Sequence, residues 1–193
     1  MKIIALDGAS GTGKSVLIGR LKTYFEATGR VRIERLISKE LEVSLDEFKK
    51  SGSDDMRPAF CDALLNAYRE GYNRLCEQDA HFRKNNNTEL IFILDRYLLS
   101  LYAIQGRQWG ISDLHERCRD IRKPDGQFII RLPGEIRPED QLFIDAADEW
   151  RNHDFHGAIW NIRNKLSYNQ NMLDDGGYYE VRETISQFLQ RQG

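Results

Sequence analysis

The strongest constraint on the fold is a glycine-rich segment close to the start of the chain. Residues 8–15 have the sequence G-A-S-G-T-G-K-S, which fits the pattern G-x-x-x-x-G-K-S and directly follows the apolar residues 2–6. Glycines allow such a loop to curl with its backbone N–H groups pointing inward, and the N-terminus of a following helix adds to this anion-binding environment. The pattern therefore predicts a strand, a phosphate-binding loop and a helix, in that order.

Each position of this loop has an expected role. We expect Lys14 to reach the β- and γ-phosphates of a bound nucleotide, and the hydroxyl of Ser15 to be a ligand of the phosphate-bound Mg²⁺. A lysine that points at phosphates is not expected to pack into the core, so its removal should change stability little. The other phosphate-binding positions are Gly8, Ala9, Ser10, Gly11, Thr12 and Gly13.

Hydrophobic periodicity predicts that strands and helices alternate along the rest of the chain. Residues 90–94 are a continuous apolar run, which is typical of a strand buried on both faces of a parallel sheet. Alternating strands and helices imply right-handed crossovers, so we expect a single three-layer α/β/α domain over residues 1–193, with a central parallel sheet. Further strands are expected over 31–36 and 127–132, and helices over 14–28, 55–84, 98–104, 112–121 and 180–190, with a capping box at 44–47.

Composition and residue spacing exclude several other classes of protein. A net charge of −2 argues against a broad nucleic-acid-binding surface. The sequence contains no apolar run of about 18 residues, which is the length that a membrane-spanning helix needs. We therefore expect a soluble, cytoplasmic protein with neither nucleic-acid nor membrane partners. Cys61, Cys76 and Cys118 lack C-x-x-C spacing and are expected to be reduced packing residues. His153 and His156 lack the i, i+4 spacing of a metal-binding pair.

A second group of candidate residues follows the strand predicted over 90–94. Asp95 lies at the carboxyl end of this strand, where ligands bind in open α/β sheets, and is therefore expected beside the phosphate loop. A carboxylate at this position can hold Mg²⁺ through its water shell. Arg96, Tyr97, Ser100 and Gln105 follow closely.

In their order and spacing, these motifs resemble those of thymidylate kinases. The resemblance rests on the phosphate loop, on L-D-R-Y-L-L-S-L-Y-A-I-Q-G at 94–106, and on P-D at 124–125 followed by L-P-G-E-I at 132–136. It implies a P-loop kinase fold with a helical lid, with ATP and Mg²⁺ as cofactors. It also implies transfer of the γ-phosphoryl group to a small-molecule nucleotide acceptor, dTMP or a related pyrimidine nucleoside monophosphate.

The resemblance also implies roles for residues of the acceptor site. Arg96 would bind the acceptor phosphate, Gln105 would contact the base edge, and Arg69 would reach the base from the long helix. Leu65 stands where the family has the aromatic residue that stacks on the base. Two alternatives stay open, namely a kinase of a nucleoside or another small hydroxyl compound, and a nucleotide-binding switch module with weak NTPase activity.

Phosphoryl transfer needs positive charge on the moving group, and the loop contains no arginine. We expect a mobile lid over residues 135–154 to supply this charge, because the segment is polar and follows the strand predicted over 127–132. It contains Arg137 and Arg151 as candidate catalytic residues, and Arg107 is a further candidate. The sequence leaves open whether the chain is a monomer or a homodimer.

Overall fold

The computed structural model describes residues 1–38, 41, 44, 56–132, 134–152, 158–163 and 176–190. Within these ranges the strands β1 to β5 comprise Lys2–Asp7, Val31–Glu34, Ile91–Asp95, Gly126–Arg131 and Ala158–Arg163. The helices α1 to α6 comprise Lys14–Phe25, Arg57–Asn86, Leu98–Leu101, Leu114–Arg117, Pro138–Asn152 and Gly176–Gln190, and a π-helix over Tyr102–Gln108 continues α3. None of the helices in this described part is long and apolar enough to cross a membrane.

The described strands form one parallel sheet in the order β2-β3-β1-β4-β5. The connection that follows β1 leads to β2 at one edge of the sheet, whereas the connection that follows β3 leads to β4 on the other side of β1. The two connections therefore run in opposite directions from the neighbouring strands β1 and β3. Ligands of open α/β sheets bind in the crevice beyond the carboxyl ends of the strands at such a point. Leu6 of β1 pairs with Asp95 of β3, so the phosphate loop and Asp95 lie at the same edge.

The apolar residues of the sheet divide between two cores, one on each face. Alternation along β1 directs Ile4 and Leu6 toward one core and Ile3 and Ala5 toward the other. The first core contains residues of α1 and α6: Leu17, Leu21, Phe25, Val181 and Ile185. The second contains residues of α2 and α5, among them Leu64, Tyr68, Leu75, Phe143 and Trp150. The prediction of a three-layer α/β/α fold is confirmed.

Several elements differ from those that the sequence predicts. The helix expected over 98–104 is the short α3 followed by the π-helix, and the helix expected over 112–121 is reduced to α4. Strand β5 was not predicted, because its continuous apolar run is only the three residues 158–160, which is short for a strand signal, and polar residues surround it in the sequence. Residues 45–47 of the capping box, together with His153 and His156, lie outside the described residues.

The segment expected to be a polar lid forms the helix α5 over most of its length. One side of the helix is apolar, since Phe143, Ala146, Ala147 and Trp150 are buried in the second core, and most of the polar residues lie on the other side. Asp140 is the exception among the described residues, because it is buried and accepts hydrogen bonds from Arg137. The polar composition that suggested a lid is therefore that of an amphipathic helix packed on the domain. Its movement during a reaction stays a prediction.

The three cysteines are free thiols, as expected. Cys61 and Cys118 are buried, and Cys76 is partly buried. Burial raises the pKa of Cys61 to about 11 and that of Cys118 to about 12. These two thiols are therefore protonated at neutral pH and poorly nucleophilic, which agrees with a packing role.

Candidate active site

Three glycines give the phosphate loop a backbone that other residues would strain. Gly8, Gly11 and Gly13 have φ angles of 140°, 76° and 81°. A Cβ atom on Gly8 would lie 2.1 Å from the carbonyl oxygen of Ile130 in β4, so only glycine allows this close approach. The loop ends at the N-terminus of α1, where the partial positive charge of the helix favours a bound anion.

Lys14 lies inside the loop rather than on the surface. Its side-chain ammonium donates hydrogen bonds to the carbonyl oxygens of Gly8 at 2.8 Å and Ala9 at 2.6 Å, and to Oγ1 of Thr12 at 3.2 Å. Only 6% of the residue is exposed. Burial, reinforced by the positive charge of Arg96, lowers the pKa of Lys14 to about 8. The expectation that Lys14 does not pack inside the protein is therefore wrong, and the effect of its removal on stability stays a prediction.

Asp95 and Ser15 are the expected magnesium ligands, and both fit that role. Asp95 ends β3, and its Oδ2 accepts a hydrogen bond from Nη2 of Arg35 at 2.8 Å. Its Oδ1 is buried and has no hydrogen-bond partner among the described residues. An unpaired buried carboxylate oxygen is unfavourable without a ligand, and oxygen is the donor that Mg²⁺ prefers. The side chain of Ser15 is exposed at the start of α1.

Arg96 occupies a strained backbone position directly after β3. Its φ angle of 68° lies in the left-handed region, which is uncommon for residues other than glycine. Its backbone N–H donates to the carbonyl oxygen of Leu6 at 3.1 Å, and Nη1 donates to Oγ of Ser100 at 3.4 Å. No carboxylate of the described residues forms an ion pair with this guanidinium. Its charge is therefore available to an anionic ligand.

A cavity of about 410 Å³ opens beside the phosphate loop, between α2, the π-helix and α5. Ala9 and Ser10 of the loop form part of its wall. Arg35, Arg96 and Arg137 bring three guanidinium groups to the cavity, together with the carboxylates of Asp95 and Glu139. The remaining walls are largely apolar, with Leu64, Leu101, Leu142 and Phe143. A cavity of this size and polarity is typical of a small-molecule site that accepts an anionic ligand.

Gln105 lines this cavity, as expected. Only 2% of the residue is exposed, and its side chain makes no hydrogen bond to another described residue. It belongs to the π-helix, which also brings Ile104 and Gln108 to the cavity. Such π-helical insertions are frequent at functional sites.

On α2, the residues that contact the cavity are Leu64 and Tyr68, and not the expected Leu65 and Arg69. Leu65 is 1% exposed and belongs to the core. Arg69 donates to the carboxylate of Asp120 at 2.7 and 3.0 Å, away from the cavity. Residues four positions apart share one face of a helix, so Leu64 and Tyr68 face the cavity while the next residues point elsewhere. Tyr68 supplies an aromatic ring to the cavity wall.

Arg107, Arg137 and Arg151 are the three arginines expected to supply positive charge to the moving phosphoryl group. Of these three described residues, Arg137 alone lines the cavity. It lies just before α5 and donates to Asp140 at 2.7 and 2.9 Å. Arg107 instead pairs with Glu149 of α5 at 3.1 Å. Arg151 is half exposed and pairs with the acidic residue three positions before it. Neither Arg107 nor Arg151 lines the cavity.

Two further residues at this edge of the sheet were not predicted from the sequence, and only the first of them lines the cavity. Arg35 follows β2 at the same edge of the sheet as Asp95, and its pairing with Asp95 brings it into the cavity. Asp7 is completely buried at the end of β1. The sequence did contain a signal for Asp7, because an acidic residue ends an apolar strand immediately before Gly8.

The sheet order, the phosphate loop and the two helical layers define the three-layer α/β/α fold of P-loop kinases. Within that class, the chain has a thymidylate kinase-like fold. It resembles the solved structure of thymidylate kinase from Ehrlichia chaffeensis, with a TM-score of 0.65 over 97% of this chain and 98% of that one. The two sequences are 20% identical. No protein-family model and no curated protein sequence matches the chain.

Proposed function

We propose that this protein is an ATP-dependent kinase of nucleoside monophosphates. The observation that carries the proposal is the cavity that joins the phosphate loop to Arg96 and Gln105. Ala9 and Ser10 connect the cavity to a loop suited to the phosphates of ATP, and the cavity itself offers a guanidinium and a carboxamide suited to a second, phosphorylated ligand. The likeness to a thymidylate kinase agrees with two nucleotides that meet at this edge of the sheet.

In this proposal the reaction is an in-line transfer. An oxygen of the acceptor phosphate forms a bond to the γ-phosphorus of ATP while the bond to the leaving ADP oxygen breaks. Lys14 and the loop N–H groups bind the donor phosphates, and Arg96 holds the acceptor phosphate. Arg137, at the cavity wall, is the candidate to neutralise charge on the moving group.

Ser15 and Asp95 are the residues that would hold Mg²⁺. Bound to the donor phosphates, the metal supplies positive charge that offsets their negative charge. The hydrogen bond from Arg35 to Asp95 leaves the second carboxylate oxygen of Asp95 unpaired. That oxygen is the one we assign to the metal or to its water shell.

For the acceptor we propose a thymine or uracil nucleoside monophosphate. The buried carboxamide of Gln105 can accept a hydrogen bond from the N3–H of these bases and donate one to a neighbouring carbonyl. With the carboxamide held in that orientation, cytosine would set its unprotonated N3 against the amide oxygen and its amino group against the amide NH₂, and both hydrogen bonds would be lost. Such a loss costs about 1–3 kcal/mol, enough for a clear preference. Arg69, which the sequence offered as a second contact, does not line the cavity.

The experiment is a measurement of ADP release with ATP and Mg²⁺ and a panel of acceptors. The panel contains the monophosphates of thymidine, deoxyuridine, deoxycytidine and deoxyguanosine, with uridine monophosphate and free thymidine. We expect kcat/KM to be highest for the thymine and uracil monophosphates. The Lys14→Ala variant is the control for a contaminating kinase. ADP release that no acceptor accelerates would contradict a kinase and favour the switch module.

A kinase of free nucleosides is the second candidate. The transfer to a hydroxyl group needs a nearby base, and the carboxylates of Asp95 and Glu139 both line the cavity. The same panel separates the two proposals, because a nucleoside kinase would use thymidine better than its monophosphate.

A further inference from the structure

Asp7 is a completely buried carboxylate with no contact to the cavity, yet it is bonded to the segment that carries Arg96. Its Oδ1 accepts hydrogen bonds from the backbone N–H groups of Tyr97 and Ser100, both at 3.1 Å, and from the hydroxyl of Ser100. Its Oδ2 accepts one from Nε2 of Gln127 at 2.9 Å. The carboxylate thus connects β1, the turn after β3 and β4.

These bonds hold the chain on both sides of the left-handed residue. The N–H of Arg96 donates to Leu6, and the N–H of the next residue, Tyr97, donates to Asp7. A residue other than glycine in this conformation costs of order 1–3 kcal/mol and persists only when its surroundings enforce it. Ser100 adds a second link, because its hydroxyl donates to Asp7 and accepts from the Arg96 guanidinium.

We propose that Asp7 is a positioning residue that holds Arg96 in the conformation in which its guanidinium lines the cavity. Asp7 does not touch the acceptor; it acts through the backbone of Arg96 and through Ser100. Its kinetic consequence rests on the proposed function, since it assumes that Arg96 binds the acceptor phosphate. The positioning itself is a property of the fold and can be tested without catalysis.

The Asp7→Asn variant removes the carboxylate with little change in size. An amide in its place offers one acceptor oxygen and one NH₂ group. Whichever way the amide is oriented, its NH₂ group meets donors, either the N–H groups of Tyr97 and Ser100 or the NH₂ of Gln127. Gln127 is poorly placed to rotate, because its Nε2 also lies 3.4 Å and 3.2 Å from the carbonyl oxygens of Ala5 and Phe128. The bonds that hold the turn are therefore weakened.

Asp79 provides a matched control. It is also a buried carboxylate, and it accepts a backbone hydrogen bond from Leu90 at 2.7 Å, at the opposite end of β3. The Asp79→Asn variant therefore removes a buried carboxylate, together with its ion pairs to Arg83 and the N-terminal ammonium, without touching the turn after Asp95. It is expected to leave acceptor use unchanged.

The test combines crystal structures with a double-mutant cycle. The structure of the Asp7→Asn variant should show Arg96 displaced from its left-handed conformation or from the cavity. The structure of the Asp79→Asn variant should show Arg96 unmoved. Acceptor kcat/KM is then measured for Asp7→Asn, Arg96→Ala and the double variant, at pH 6.5 so that Lys14 stays protonated. We expect Asp7→Asn to lower the acceptor kcat/KM about tenfold or more in the wild-type background. In the Arg96→Ala background, we expect the same substitution to lower it less than about twofold. The dissociation constant of ATP should stay within about threefold.

Each outcome decides the proposal. An equal loss in both backgrounds, or an unmoved Arg96 in the Asp7→Asn structure, would overturn it. If the wild-type protein transfers phosphate to no acceptor, the proposed function fails, and the crystal structures alone decide on Asp7. If Asp7→Asn does not fold, Ser100→Ala replaces it, and a loss that persists without Arg96 overturns the proposal.

Discussion

Replacement of Lys14 by methionine tests how much the burial of a charged group in the loop destabilises the folded protein. The Lys14→Met variant keeps a long unbranched side chain but removes the ammonium group. In the wild-type protein this group is buried among backbone carbonyls and lies near Arg96, so its pKa falls to about 8 from an ordinary value of 10.5. The folded state therefore binds a proton at Lys14 less tightly than the unfolded state does.

The sign and size of the effect on stability follow from this difference. At pH 7 Lys14 is protonated in both states, and the lowered pKa corresponds to about 3 kcal/mol that disfavours folding. As the pH rises from about 8 toward about 10.5, the folded state loses the proton while the unfolded state keeps it, so wild-type stability increases. At pH 9.5 the penalty is reduced to about 1.4 kcal/mol.

The measurement is the free energy of unfolding in urea for the wild-type protein and Lys14→Met at pH 7 and pH 9.5. The stability of the variant relative to the wild type should fall by about 2 kcal/mol between the two pH values. Effects that do not depend on pH, such as the loss of hydrogen bonds to Gly8 and Ala9, cancel in this comparison. Lys22→Met removes an exposed lysine of the same helix and is the control. A constant difference, or one of opposite sign, would refute the buried-charge argument.

Three further predictions concern the proposed acceptor site. Arg96→Ala should weaken acceptor use by the equivalent of about 1.5–3 kcal/mol and leave ATP binding unchanged in a calorimetric titration, so weaker ATP binding would place Arg96 on the donor side. Gln105→Leu should remove most of the preference for thymine over cytosine, roughly tenfold in kcat/KM; a preference that survives means that another residue contacts the base. Arg69→Ala should leave the acceptor KM unchanged and lower stability by less than about 1 kcal/mol, because its ion pair with Asp120 is exposed; a raised KM would restore Arg69 to the acceptor site.

Local patterns were sufficient for the main features of the fold. The phosphate loop, the strands around it and the long helix α2 all follow from glycine spacing and from hydrophobic periodicity within single segments. Periodicity also indicates Asp95 at the end of β3, whereas Gln105, ten residues further along the chain, takes its expected role from the resemblance; both residues line the cavity. The sequence does not predict strand β5, because pairing with β4, rather than a long apolar run, defines this strand.

The details of the candidate site depend on contacts between residues that are far apart in the chain. Whether Leu64 or Leu65 faces the cavity depends on how α2 is rotated against the sheet, and sequence spacing alone does not define that rotation. Arg69 is a candidate because of the resemblance and Arg107 because of its charge, but carboxylates brought near by the fold bind both of them elsewhere. Asp7 and Arg35 acquire their roles only because parallel pairing brings the ends of β1, β2 and β3 to one edge. The sequence alone therefore determined the glycine-rich loop and the edge of the sheet at which the candidate site lies, whereas the packing of helices on the sheet decided which side chains reach it, because side-chain direction is a property of the assembled layers.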